Sequence, residues 1–292
     1  PGDASGAAGG ADSSAGGDGA GAAASLPGWP SEPPAKLRAQ LDEFVYDYLL
    51  RRYDGSHTKA IEWGYNLHDA LERYVSDSDC KLFLKILAGE LAEEVRNDQL
   101  ALIVQVKQAM EKEDASLNQG MPCGSLTIPV FMRTLRKLLP AKSEHSMTRL
   151  KRILHLEQQH IKQRMVLYGA LLKEDSEGNQ TRFCETLREQ HLTEIIAYSK
   201  QLIDSIHQVH AREGSQPKLT IAQYREAILL SDPEKPRPEQ NVYLARGIGK
   251  PDVQEMLNME RDGSYTFPLE TFCSLVQKGL LKRSTPVNSK GL

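Results

Sequence analysis

The stretch GSLTIPVF at residues 124–131 returns as GSYTFPLE at residues 263–270, with Gly, Ser, Thr and Pro in the same places and an apolar residue on each side of the Thr. A shorter copy, KLTIAQY, occupies residues 218–224. Each copy prescribes the same local path. Glycine permits a sharp turn at positive φ, a short β-like step follows at Leu126, Tyr265 or Leu219, and Thr then opens a new helix. Pro129 and Pro268 fall in the first helical turn, where a missing N–H costs little. In the third copy Thr220 and Gln223 form a capping box.

The segments around these turns carry helical periodicity. In KLRAQLDEFVYDYLLRRY, Leu37, Leu41, Phe44, Val45, Tyr48 and Leu49 fall on one face. In TKAIEWGYNLHDALERY the stripe is Ala60, Trp63, Leu67, Leu71 and Tyr74. Asp77 and Asp79 precede a helix and read as caps. CKLFLKILAGEL and QLALIVQVKQAM are expected to be the most buried part of the N-terminal bundle. Further on, Met147, Leu150, Leu154, Ile161, Met165, Tyr168 and Leu172 follow an approximate heptad, as do Leu192, Ile195, Leu202, Ile206 and Val209. The expected fold is all-α. Its parts are a Gly/Ala/Ser-rich disordered tail at 1–34, a helical bundle at 35–140, a long helical hairpin at 141–213, a C-terminal module at 214–284 and a flexible tail at 285–292.

Turn, β-step and capped helix together resemble the second half of a degenerate EF-hand, over roughly residues 99–140 and 214–284. The resemblance implies helix pairs joined through short strands, and it offers one loop to test as a calcium site. Such a loop needs oxygen ligands at positions 1, 3, 5, 9 and 12 and Gly at 6. With Gly263 at position 6, Asn258, Glu260, Asp262 and Thr266 supply plausible oxygens, but Leu269 stands where the bidentate Glu belongs. The loop at Gly124 offers Gln119, Met121, Cys123 and Val130 instead, and is expected to be metal-free. LDEFVYDYLLRRY and WGYNLHDALERY are similar to helical segments beside degenerate EF-hands in cytoskeletal and flagellar proteins.

Charge is uneven along a chain whose formal net charge is −3. Between Arg133 and Arg164 lie nine basic residues, Arg133, Arg136, Lys137, Lys142, Arg149, Lys151, Arg152, Lys162 and Arg164, against Glu144 and Glu157. Basic residues among apolar ones at helical spacing suit anionic partners. Arg133, Arg136, Lys137, Arg149, Lys151 and Arg152 are therefore the candidate partner-binding residues, with acidic protein tails or other helical proteins as partners. The plainer reading makes the same charges a solvated helix face.

Other chemistry finds little support. The four cysteines, Cys80, Cys123, Cys184 and Cys273, form no C-x-x-C pair. No apolar run reaches the length of a membrane span, and a reducing, cytoplasmic setting is the default. Basic and aromatic residues do not interleave as in nucleic-acid modules. Glu157 and His160 have the spacing of a di-iron pair without a second copy, and His207 with His210 lacks a third ligand. The sequence thus points to a non-catalytic interaction scaffold of a cytoskeletal, ciliary or flagellar assembly, with no required cofactor. Its rival is a calcium-responsive regulator acting through loop 258–270.

Overall fold

The computed structural model describes residues 40–161, 165–174, 179–212, 214, 217–249 and 252–283, with the backbone alone at 160 and 161. Every element below belongs to one compact unit, Leu41–Leu292. The tails expected at 1–34 and 285–292 lie outside the described residues.

The fold is all-α. Among the described residues twelve helices run in the order α1 (Leu41–Arg52), α2 (His57–Arg73), α3 (Ser78–Leu87), α4 (Glu94–Leu117), α5 (Ile128–Leu138), α6 (Glu144–Ile161), α7 (Tyr168–Leu171), α8 (Arg182–Arg212), α9 (Ile221–Ser231), α10 (Arg237–Gly247), α11 (Val253–Asp262) and α12 (Leu269–Gln277). Four short strands interrupt them: β1 (Leu126–Thr127), β2 (Met165–Val166), β3 (Lys218–Thr220) and β4 (Thr266–Pro268). The strands pair antiparallel, β1 with β2 and β3 with β4. Each ladder therefore ties two helix–strand–helix units together, and Leu219 faces Phe267 in the second.

Local chemistry explains the starts of these helices. Asp77 caps α3 by accepting from the backbone N–H groups of Asp79 and Cys80. Thr220 and Gln223 close the expected capping box on α9. Gly124 and Gly263 hold φ of 82° and 68°, values that a Cβ would strain. Three details differ from the sequence reading. Asp79 is no cap but lies in the first turn of α3, where its carboxylate accepts from Arg188. Thr127 is the N-cap of α5 but its side chain makes no capping bond. Pro268 is the last residue of β4 and the N-cap of α12, one step before the helix.

The long helix α8 joins the packing of the helices from α3 to α12. Its first turns give Phe183, Cys184 and Leu187 to a core shared with α4, α5 and α6. Leu192 and Ile195 meet Leu82, Leu91 and Val95. Tyr198, Leu202, Ile206 and Val209 enter a further core with α9, α10, α11 and α12. A fully buried leucine such as Leu202 stabilises by about 1.5–3 kcal/mol relative to exposure. Because each turn of α8 is committed to one of these cores, the strand-tied units are anchored along a single rod.

The apolar stripe from Met147 to Leu172 does not lie on one helix. α6 ends at Ile161, and Met165–Val166 turns extended to pair with β1 before the short α7. The backbone groups of β1 need a ladder partner, and this segment supplies it. α6 itself packs on α8. In α4, Leu102, Val106 and Met110 are buried as expected and Val95 is buried as well, while Leu100 and Val104 face outward. α3 buries only Leu82 fully. On α2 the stripe splits: Ala60 and Leu71 are buried, but Trp63 and Tyr74 are 47% and 66% exposed. The Trp63 ring instead stacks on Tyr53, with ring centroids 5.6 Å apart.

Candidate functional site

The predicted loop at 258–270 is mostly helix. α11 continues through Asp262 and is closed by Gly263 as a left-handed cap. At about 100° per residue, Asn258 and Asp262 share one face of α11 and Glu260 points away from both. Each is engaged locally. The side chain of Gln254 donates to Asn258 Oδ1 at 3.3 Å, and Ser264 Oγ donates to Asp262 Oδ1 at 2.9 Å. Thr266 is exposed in β4 opposite Thr220. Leu269, at the place of the twelfth ligand, packs against the core of α9 and α12.

Glu260 faces inward to Arg225 of α9. Arg225 donates through Nε to Oε1 at 2.7 Å and through Nη2 to Oε2 at 2.5 Å, a two-point fork. Its Nη1 reaches Gln240 Oε1 at 3.1 Å. Arg237 adds a longer contact to Glu260 at 3.7 Å. The hydrogen bonds from Arg225 hold the Glu260 carboxyl below the usual carboxylate range, against the opposing effect of burial. A cation therefore does meet this carboxylate, and it is a guanidinium built into the chain.

The Gly124 loop has a parallel device in Asp114, a fully buried residue of α4. Its carboxylate accepts from Tyr168 Oη at 2.8 Å, Gly124 N at 2.8 Å, Asn118 Nδ2 at 2.6 Å and Cys123 Sγ at 3.2 Å. Burial would push this carboxyl upward, but the four donors outweigh it and hold the pKa down. Burial and the bond to Asp114 push the Tyr168 hydroxyl up to about 12. One side chain thus fixes the end of α4, the turn before β1 and the start of α7. Arg188 of α8 does similar work elsewhere: nearly fully buried, it donates to Gln180 at 2.7 Å, to Gln99 at 3.4 Å and to Asp79.

The six candidate partner-binding residues divide. Arg133 pairs with Glu113 at 3.2 Å, Arg136 with Glu144 and the carbonyl of Lys142, and Arg149 with Glu189 at 3.0 Å. Lys142, of the same basic run, is buried against Glu194 at 2.7 Å. Lys137 on α5 and Lys151 and Arg152 on α6 are exposed and make no ion pair among the described residues. Leu156, 48% exposed, lies one turn along the same face of α6. Lys162 and Arg164 lie outside the described residues.

Lys142 and Glu194 line a cleft of about 480 Å³ with Asp98, His191, Tyr198 and Lys282. Burial, helped by Lys142, drops the His191 pKa to about 4. An unfolded histidine titrates near about 6.5, so the stability that a neutral His191 provides is complete above that pH. It is lost as the pH falls towards 4, because the unfolded chain binds the proton first. His191→Gln is expected to flatten the melting temperature between pH 6.5 and 4; a curve as steep as the parent's would contradict this.

Among the described residues no group of three or more His, Cys, Asp or Glu is arranged to hold a metal ion. Glu157 accepts from the backbone N–H of Arg182 at 3.0 Å, while the side chain of His160 lies outside the described residues. Arg225 and Asp114 escaped the sequence reading. Arg225 stands 35 residues from its partner, and Asp114 sits in EKEDAS, where it reads as helix surface. The one available signal was a Cys and an Asn within nine residues downstream of Asp114, short of a motif.

Fold and site together define a helical protein of strand-paired units whose inward carboxylates are bound by the chain's own donors. No family model matches it, and no solved structure matches it. The chain is similar to translin-associated factor X-interacting protein 1 of Homo sapiens, 24% identical over 226 residues, covering 77% of this chain and 32% of that protein. It is also similar to the Mus musculus protein of the same name, 21% identical over 259 residues, covering 88% of this chain and 35% of that protein. The chain spans about a third of the length of these curated relatives. Among the described residues no helix is long and apolar enough to cross a membrane.

Proposed function

We propose that the chain is a non-catalytic protein–protein interaction scaffold, built from degenerate EF-hand-like units that keep their shape without metal. One observation carries the reading: the buried Arg225 guanidinium forks onto Glu260, the third-position carboxylate of the best calcium candidate. A loop so occupied fixes a helix angle and leaves the outer faces of the helices for partners. Of the six candidate partner-binding residues, Lys137, Lys151 and Arg152 are those that make no ion pair among the described residues, and they suit an acidic protein segment. The relatives' name supplies a first partner to try, translin-associated factor X. A cytoplasmic, cytoskeletal assembly, ciliary or flagellar, is the setting we assign to it.

The test is direct binding of the full chain to purified translin-associated factor X at low and high salt. The reading expects saturable binding that weakens with salt, and that Lys137→Glu/Lys151→Glu/Arg152→Glu weakens about tenfold, chiefly through slower association. No binding, or binding that the triple variant leaves unchanged, would overturn it.

A further inference from the structure

The helix α1 stands apart from the others in one respect: none of its side chains is fully buried, although seven of the twelve are apolar or aromatic. Together with α2 it borders an open, mostly apolar groove of about 390 Å³, lined by Val45, Tyr46, Leu49, Ile61, Gly64 and Tyr65. Ile61 and Tyr65 are 51% and 75% exposed. The Tyr46 ring is not loose, since its hydroxyl bonds His57 Nδ1 at 2.7 Å. An ordered apolar surface of this kind marks an interaction site.

The charges on α1 say what covers it. Asp42, Val45, Leu49 and Arg52 follow spacings of three, four and three residues, the seam of a helix that packs lengthwise on another. The seam is acidic at its first residue, basic at its last and apolar between. Neither Asp42 nor Arg52 makes an ion pair with a described residue, and both are exposed. Turned end for end about a two-fold axis through the middle of the helix, this pattern complements itself. Asp42 of one copy meets Arg52 of the other, Val45 meets Leu49, and the charge pair occurs twice by symmetry. Asp47, at the axis, lies on the opposite side of α1 and brings no like charge to the seam.

We infer that the α1–α2 face is a self-association surface on which two copies of this chain pair antiparallel through α1. The inference is independent of the partner proposed above, because it uses neither α5 nor α6.

Sedimentation equilibrium of the full chain tests it. At about 100 µM, well above a Kd of about 1 µM, the parent is expected at twice its 32.5 kDa chain mass. Asp42→Arg and Arg52→Asp each set like charges against each other at both ends, and each is expected to weaken the dimer at least about tenfold. The double variant Asp42→Arg/Arg52→Asp is self-complementary again and is expected to restore the dimer. Circular dichroism melts unchanged by these exposed substitutions show that the fold is intact. A monomeric parent would overturn the inference, and so would a dimer that either single reversal leaves as tight, or a double variant no better than the singles.

Discussion

Asp114→Ala is expected to cost about 4 kcal/mol of stability, read as a lower urea midpoint with circular dichroism at 222 nm. The carboxylate binds four donors at once. Its removal leaves the Tyr168 hydroxyl and the Gly124 N–H without that acceptor, and bonds to a charged group contribute about 1.5–3 kcal/mol each before such losses overlap. Asp114→Asn keeps the shape and part of the accepting capacity, so about half that cost is expected. Acid acts on the same contact. Because the folded pKa is held down, the contribution of Asp114 is complete above the ordinary carboxylate range and is lost as the pH falls through the lower, folded value. An alanine variant with the parent's midpoint would mean that the turn before β1 is held by something else.

Arg225→Met is the second large effect, expected at about 3 kcal/mol. The substitution leaves Glu260, only 15% exposed, without its fork, and leaves Gln240 Oε1 without that donor. Removing one member of a buried pair is costly mainly because the other charge stays behind, whereas replacing both can be nearly neutral. The double variant Arg225→Met/Glu260→Gln is therefore expected to recover most of the loss. Equal destabilisation in the single and double variants would show that Arg225 matters for its packing and not for its charge.

These two side chains also mark the limit of what the sequence discloses. Elements whose cause is local were legible. The period of the apolar residues defines the helices, the Thr220–Gln223 spacing defines a capping box, and Gly124 and Gly263 take the positive φ that their turns require. The strand Met165–Val166 was hidden because its residues also continue a helical stripe, and only the ladder to Leu126–Thr127 decides between the two. Glu260 was picked out by its spacing from Gly263, but its direction depends on α11 remaining helical to Asp262. Charge counting located the basic run, yet the run's division between internal pairs and free cations depends on Glu113, Glu144, Glu189 and Glu194. Those acids come from three different helices, which no linear window joins.

The account rests on loops held by the chain's own guanidinium and carboxylate, and calcium calorimetry on the full chain tests this most directly. A metal that bound the folded chain at a thousand times its Kd would add about 4 kcal/mol of stability, so melting in calcium and in chelator provides a parallel reading. The account predicts no saturable heat up to millimolar calcium and the same melting temperature in both. A single-site isotherm at micromolar calcium, with a raised melting temperature that Asp262→Ala abolishes, would contradict it.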